Sequence, residues 1–324
     1  MQELIKKEPP ADFEPVYYED GTPVAFKEVL PLIMDQKLIP RMFVDENGEY
    51  KALVVKSTLR NEDIKIVFAD IPKSLEKHGY SFGNPDSDTV IINIDGGPEN
   101  DLRTYVFEYI FSVLGGIDES NYFLINMRES QTLHPEETEK EEISWEQANN
   151  YNEKTVKTLY ELISYFKSLN KKVYVVGGSY GSLVGLKSLV DYNNIADGYL
   201  LMFGRLDMTK EVSTAYSKGF EANFEEDATT PIIGEKSENI YTVNMRKIAA
   251  AINREVKYTE LLKDSDLSNL TYIYSEIDQR VGKLTEKEKT FLKSKNAEVV
   301  SVKIEHGKYF ELVLNDGLEM MLDD

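Results

Sequence analysis

From residue 90 to near the C-terminus, short apolar runs alternate with stretches of helical spacing, and this alternation restricts the fold more than any other feature. The runs are "TVIINI" (90–94 at its core), "YFLINM" (122–127), "KVYVV" (172–176), "DGYLLMF" (197–203), "TYIYS" (271–275) and "EVVSVKI" (298–304). They are apolar on consecutive residues, so a strand made from them has both faces to bury. Between them lie "LRTYVFEYIFSVLGG", "EQANNYNEKTVKTLYELISYFKSL", "SLVGLKSLVDY" and "LTEKEKTFLKSK". The second places Val156, Leu159, Ile163 and Phe166 three and four residues apart, one apolar face of a helix. Strands and helices in alternation require right-handed crossovers, hence an α/β fold with a mostly parallel central sheet covered by helices on both faces.

Upstream, "RMFVDENGEYKALVVKST" reads as two strands around a turn at residues 46–48, and "IKIVFADI" (64–71) as a third strand. From about residue 208 to 269 the pattern becomes charged and weakly periodic, with a helix at "MRKIAAAINREV". That stretch is expected to be an inserted, mostly helical cap. The expected division is a flexible tail over 1–15, a core over 16–207, the cap over 208–269 and the rest of the core over 270–324.

A formal net charge of −20 argues against nucleic acid and anionic membranes as partners. The absence of cysteine excludes disulfides and thiolate chemistry, and three histidines, at 78, 134 and 306, make a histidine-rich metal site improbable. No cofactor or metal is expected. No run approaches the roughly 20 apolar residues of a membrane span. The start "MQELIKKEPPADFEP" lacks the apolar centre of a signal peptide, and it equally fits what remains after a signal is removed. A soluble protein is expected, cytoplasmic or exported.

The run Gly177-Gly178-Ser179-Tyr180-Gly181 fits G-x-S-x-G, placed between a strand and a helix. A turn this tight raises the serine hydroxyl above the sheet edge, and the following N–H groups open a helix, where negative charge is favoured. A plain strand-to-helix turn or a phosphate-binding loop also fits the glycines. However, G-x-x-x-x-G-K-S/T is absent and no G-x-G-x-x-G follows the first strand. A serine nucleophile needs a base, and the base needs an orienting acid. His306 follows the last strand, whereas His78 and His134 read as surface residues. Asp278, in "YIYSEIDQRVG", ends the preceding strand; Asp207, in "MFGRLDM", is its rival. The loop "DGGPEN" supplies glycines whose N–H groups can approach an oxyanion, so Gly97 and the Tyr180 N–H are the expected donors, with Gly96 the alternative to Gly97.

Together "IDGGPEN", "NMRESQ" and "VVGGSYGS" resemble the H-G-G-P-G, D-x-R-G and G-G-S-W-G-S segments of the proline iminopeptidase-like (serine aminopeptidase) branch of the α/β-hydrolase superfamily. The resemblance covers most of the chain after about residue 40. It implies an α/β-hydrolase fold with Ser179 as nucleophile, Asp278 as acid, His306 as base and a lid after the strand ending near 203. Asp95 stands at the branch's histidine, Glu99 at its last glycine and Asn126 at its aspartate, and "EHGKYF" lacks a glycine before the histidine. In that branch cap carboxylates hold the substrate's amino group; here Glu221, Glu225 and Glu226 are available, and a solvated acidic lid explains them as well. The expected function is a serine hydrolase cleaving an ester or amide bond of a small ester or short peptide. Carboxylesterase, aminopeptidase and a non-catalytic binding protein of the same fold remain open.

Overall fold

Residues 89–94 show why the central sheet forms. Val90, Ile92 and Ile94 enter one core and Ile91 the opposite one, and all four are fully buried. The same alternation recurs in Val173 and Val175 against Tyr174 and Val176, and in Tyr199 and Leu201 against Leu200 and Met202. A strand with two apolar faces is stable only between two layers of helix.

The structure is a computed structural model describing residues 15–18, 21–34, 38–44, 50–57, 63–102, 104–308 and 312–322. The chain divides into two compact units, Met1–Asp63 and Ile64–Asp324. In the first, β1 (Val16–Tyr18), β2 (Pro23–Val24), β3 (Leu38–Val44) and β4 (Tyr50–Ser57) form a sheet ordered β2-β1-β4-β3, with one helix, α1 (Phe26–Met34). Val16, Val29 and Leu53 are its buried apolar centre. β3 and β4 pair antiparallel, as a hairpin requires; the turn expected at 46–48 lies outside the described residues, as does the tail expected at 1–15 except for Pro15. These strands form a sheet of their own, whereas the sequence reading began the core at residue 16.

The second unit contains, in order, α2 (Lys73–Glu76), β5 (Gly79–Gly83), β6 (Thr89–Ile94), α3 (Thr104–Tyr109), β7 (Phe123–Met127), α4 (Glu136–Glu139), α5 (Trp145–Ser168), β8 (Lys172–Gly178), α6 (Tyr180–Tyr192) and β9 (Gly198–Met202). It continues with α7 (Lys210–Ser217), β10 (Phe220–Phe224), β11 (Pro231–Lys236), α8 (Ile240–Asn253), α9 (Tyr258–Leu261), β12 (Leu270–Ser275), α10 (Glu286–Ser294), β13 (Glu298–Val302) and α11 (Leu314–Leu322). The sheet order is β13-β12-β9-β8-β6-β7-β5, parallel except for β5, which runs antiparallel beside β7. α5 opens on a capping box between Ser144 and Gln147, and its Val156, Leu159, Ile163 and Phe166 are all fully buried. Among the described residues no helix is long and apolar enough to cross a membrane.

Two expectations are corrected. Residues 64–71 form no strand: the Ile66 N–H bonds the Glu76 carbonyl at 2.8 Å and the Val67 N–H the Ser81 hydroxyl at 2.8 Å, so no ladder can run there. The edge strand is β5 instead. Residues 208–269, expected to form a mostly helical cap, carry helices α7, α8 and α9 and also the antiparallel hairpin β10–β11. Its turn is closed by Asp227, whose carboxylate accepts from the Thr229 and Thr230 N–H groups and hydroxyls.

Candidate active site

Ser179 joins β8 to α6 with φ 53° and ψ −115°, a conformation costly for a residue with a side chain. The surrounding glycines make it attainable. A Cβ on Gly177 would sit 2.5 Å from the Gly181 carbonyl oxygen, and one on Gly181 would run into the Ile94 carbonyl. The Ser179 N–H donates to the Met202 carbonyl at 2.8 Å, and the Ser182 hydroxyl donates to the Ser179 carbonyl at 2.7 Å, so the elbow is tied on both sides.

His306 follows β13, whose end is anchored to β12. The Glu276 N–H donates to the Val302 carbonyl at 2.9 Å and the Ser275 hydroxyl to the Ile304 carbonyl at 2.6 Å. The imidazole lies edge-on to Phe203 with ring centroids 5.9 Å apart. Its Nε2 is 2.9 Å from Ser179 Oγ and its Nδ1 is 2.7 Å from Asp278 Oδ2. A carboxylate only accepts, so Nδ1 carries the hydrogen and Nε2 accepts from the serine hydroxyl. Asp278 is 1% exposed, and its other oxygen accepts from the Arg280 and Val281 N–H groups at 2.8 and 3.0 Å. The parallel register places all three groups on the C-terminal edge of the sheet. Asp207 is engaged elsewhere: its carboxylate accepts from the Thr259 hydroxyl at 2.7 Å and the Thr259 N–H at 3.2 Å, holding the start of α9.

The close approach of Gly181 to the Ile94 and Asp95 carbonyls sets the loop after β6 against the elbow. Gly97 lies in that loop, and Tyr180, directly after Ser179, is the first residue of α6. The Tyr180 ring turns inward, its hydroxyl donating to Asn152 Oδ1 at 2.5 Å; burial pushes that phenol well above its ordinary range. Two of the departures from the family segments meet each other. Asn126 Nδ2 donates to one Asp95 oxygen at 2.9 Å, and Asn93 Nδ2 donates both to the other at 2.9 Å and to Asn126 Oδ1 at 2.8 Å.

Beneath this loop lie two residues that the sequence reading did not single out. Glu129 Oε2 accepts from the Glu99 N–H at 3.2 Å and from Gln131 Nε2, which also donates to the Glu99 carbonyl at 2.8 Å. Burial, then the nearby Asp95, hold the Glu129 carboxyl well above the usual carboxylate range, against the hydrogen bonds from Gln131 and Glu99. An acidic and an amide residue two and four positions after the fully buried strand β7 were the available signal.

The cap hairpin grips the loop that bears Asp278. The Phe224 N–H donates to the Gln279 carbonyl at 2.7 Å, the Lys283 N–H to the Ala228 carbonyl at 2.9 Å, and Arg280 Nη1 to Asn223 Oδ1 at 3.1 Å. From α8, the Tyr241 hydroxyl donates to Glu99 Oε2 at 2.9 Å. Glu221 pairs with Arg280 at 3.8 Å, whereas Glu225 and Glu226 are exposed in the hairpin turn, so these three carboxylates do not converge. His134 is exposed, 3.7 Å from Glu136, as expected. His78 is corrected: it is half-buried, its Nδ1 has no hydrogen-bond partner among the described residues, and burial lowers its pKa.

Among the described residues no group of three or more histidine and carboxylate side chains is spaced to hold a metal ion. A 460 Å³ hollow bordered by Tyr174, Asn269, Thr271 and Met321 lies at the opposite, N-terminal edge of the strands and includes none of the residues above.

No protein-family model matches the chain, and no curated protein matches it in sequence. Solved structures do. BpoC of Mycobacterium tuberculosis H37Rv, a candidate non-heme bromoperoxidase, aligns with a TM-score of 0.51 at 12% identity, over 76% of this chain and 94% of that one. MGS-M2, an α/β-hydrolase from a Medee basin deep-sea metagenome library, aligns at 0.49 and 14% identity, over 76% of this chain and 94% of that one. At such identities the likeness concerns the fold. The chain has an α/β-hydrolase fold, with a central, mostly parallel seven-stranded sheet.

Proposed function

We propose that this chain is a serine hydrolase that transfers an acyl group to water through Ser179, His306 and Asp278. One observation carries the reading: the continuous contact from Asp278 Oδ2 to His306 Nδ1 (2.7 Å) and from Nε2 to Ser179 Oγ (2.9 Å), with the serine at φ 53°. His306 Nε2 takes the hydroxyl proton as Oγ bonds the substrate's carbonyl carbon, and the carbonyl π electrons move to its oxygen. The Tyr180 and Gly97 N–H groups receive that oxyanion, the former at a helix N-terminus where negative charge is favoured. Collapse expels the leaving group, which takes the proton from imidazolium. Water then repeats the sequence on the acyl-enzyme and releases the acid. Asp278 keeps the proton on Nδ1 and faces the imidazolium formed in each half-reaction.

The arrangement of the cap favours an ester or a small amide over a peptide N-terminus. An aminopeptidase needs carboxylates convergent on an ammonium group, and Glu221 already faces Arg280 while Glu225 and Glu226 face solvent. Turnover of p-nitrophenyl butyrate and of aminoacyl p-nitroanilides tests this. The expected result is ester turnover that falls by about 10⁴-fold or more in Ser179→Ala, with weaker turnover of the anilides. Unchanged ester turnover in Ser179→Ala overturns the reading, and faster turnover of the anilides overturns the substrate class.

A further inference from the structure

We infer that Glu129 is a positioning residue for the reaction, clamping the 97–99 turn of the oxyanion loop from beneath through the Glu99 N–H and the Gln131 amide. The inference rests on the serine-hydrolase reading. Through Glu129 and Gln131, both the N–H and the carbonyl of Glu99 are held by one buried pair at the end of β7. The peptide planes on both sides of Glu99 are thereby fixed, next to two glycines, Gly96 and Gly97, that would otherwise carry their own freedom. Glu129 is 2% exposed and Gln131 fully buried, so the clamp is shielded from competing water.

The state of the carboxyl follows from its surroundings. Asp95 and Glu99 face it from the oxyanion loop, the Tyr180 phenol from α6 and the Tyr241 phenol from α8; none of these is a cation. A buried carboxyl beside two other carboxyls holds its proton to higher pH than an exposed one. Oε2 is then the oxygen that accepts both donors, and the hydrogen resides on Oε1, which has no hydrogen-bond partner among the described residues. That oxygen lies against the proposed donor: a Cβ on Gly97 would come within 3.5 Å of Glu129 Oε1. An ionised Glu129 would put a negative charge beneath the point where the substrate oxyanion forms. The protonated form is therefore the working form, and turnover declines on the alkaline side as Glu129 loses its proton. A group that steadies the transition state acts on kcat more than on KM.

The test compares wild type, Glu129→Leu and Glu129→Gln on p-nitrophenyl butyrate across pH, after a fluorophosphonate has been shown to label Ser179 in the wild type. Failure of that labelling removes the serine-hydrolase reading itself; the variants address Glu129 alone. Glu129→Leu, which lacks the acceptor, is expected to lose about tenfold or more in kcat with KM within about threefold. Glu129→Gln supplies a neutral acceptor in the same place. It is expected to rescue most of that loss and to abolish the alkaline decline seen in the wild type. Wild-type kcat in Glu129→Leu, or the same alkaline limb in wild type and Glu129→Gln, overturns the inference. Should the leucine variant not fold, the two pH profiles decide by themselves.

Discussion

Two buried carboxyls stand at strand ends on opposite sides of β8, each two strands from it, and their surroundings are opposite. Asp278, after β12, is 1% exposed and has three N–H partners: His306, Arg280 and Val281. Glu129, after β7, is 2% exposed, shares one oxygen between two donors, has no hydrogen-bond partner for the other among the described residues, and has Asp95 and Glu99 for neighbours. Burial alone therefore does not assign a role. A carboxylate ringed by N–H donors can face an imidazolium in the interior; a carboxyl among other carboxyls holds its proton to higher pH and can serve as a neutral anchor.

The largest effect separating the two sites should come from Asp278→Asn. With the Nδ1 hydrogen no longer enforced, kcat on p-nitrophenyl butyrate is expected to fall by about 10⁴-fold. Asp207→Asn, on the neighbouring strand end, is expected to stay within about threefold, since its carboxylate holds Thr259 and faces Lys287. Equal losses in both would erase the distinction between the two strand-end acids.

Next in size is the pH dependence of stability. The folded-state pKa of Glu129 is raised, so its stabilising contribution is fully present below the ordinary carboxylate pKa and is lost as pH rises toward the folded value. In that window the native state holds a proton that the unfolded state has released, and stability falls with pH. Glutamine does not titrate. Thermal melts of Glu129→Gln against wild type should thus show an advantage for the variant that is absent near pH 4 and grows toward pH 8. An advantage that shrinks with rising pH would mean that Glu129 is ionised and that the contrast with Asp278 is wrong. Smallest is Ser275→Ala, which removes the 2.6 Å bond to the Ile304 carbonyl that seats the histidine loop. About 1 kcal/mol of stability and a severalfold drop in kcat are expected, measured by denaturant melts and ester turnover.

Much of this was legible before any coordinates. The parallel strands announced themselves as consecutive apolar residues, because a strand buried on both faces has no polar side to interrupt the run. Ser179 could be placed because its strained turn demands small neighbours, and the structure sets His306 and Asp278 within hydrogen-bond distance in line with it. Other features left weaker marks. β5, with the sequence Gly79-Tyr-Ser-Phe-Gly, is a short edge strand framed by glycines, whereas residues 64–71 look like a better strand but bond to the end of α2 and the Ser81 side chain. The hairpin β10–β11 left a weak mark because β10, Phe220–Phe224, alternates over only five residues and β11 sets Ile232 and Ile233 side by side and exposed. Glu129 escaped notice because its role depends on Asp95 and Glu99, about 30 residues earlier and joined to it only by the packing of β6 beside β7.

The central claim is that Ser179 is a nucleophile activated by His306. Mass mapping of the intact protein after reaction with a fluorophosphonate tests it most directly. One phosphonyl adduct on the peptide carrying Ser179 is predicted, absent from Ser179→Ala and strongly slowed in His306→Ala. No adduct on the wild type, or an adduct on a different serine, would contradict the account.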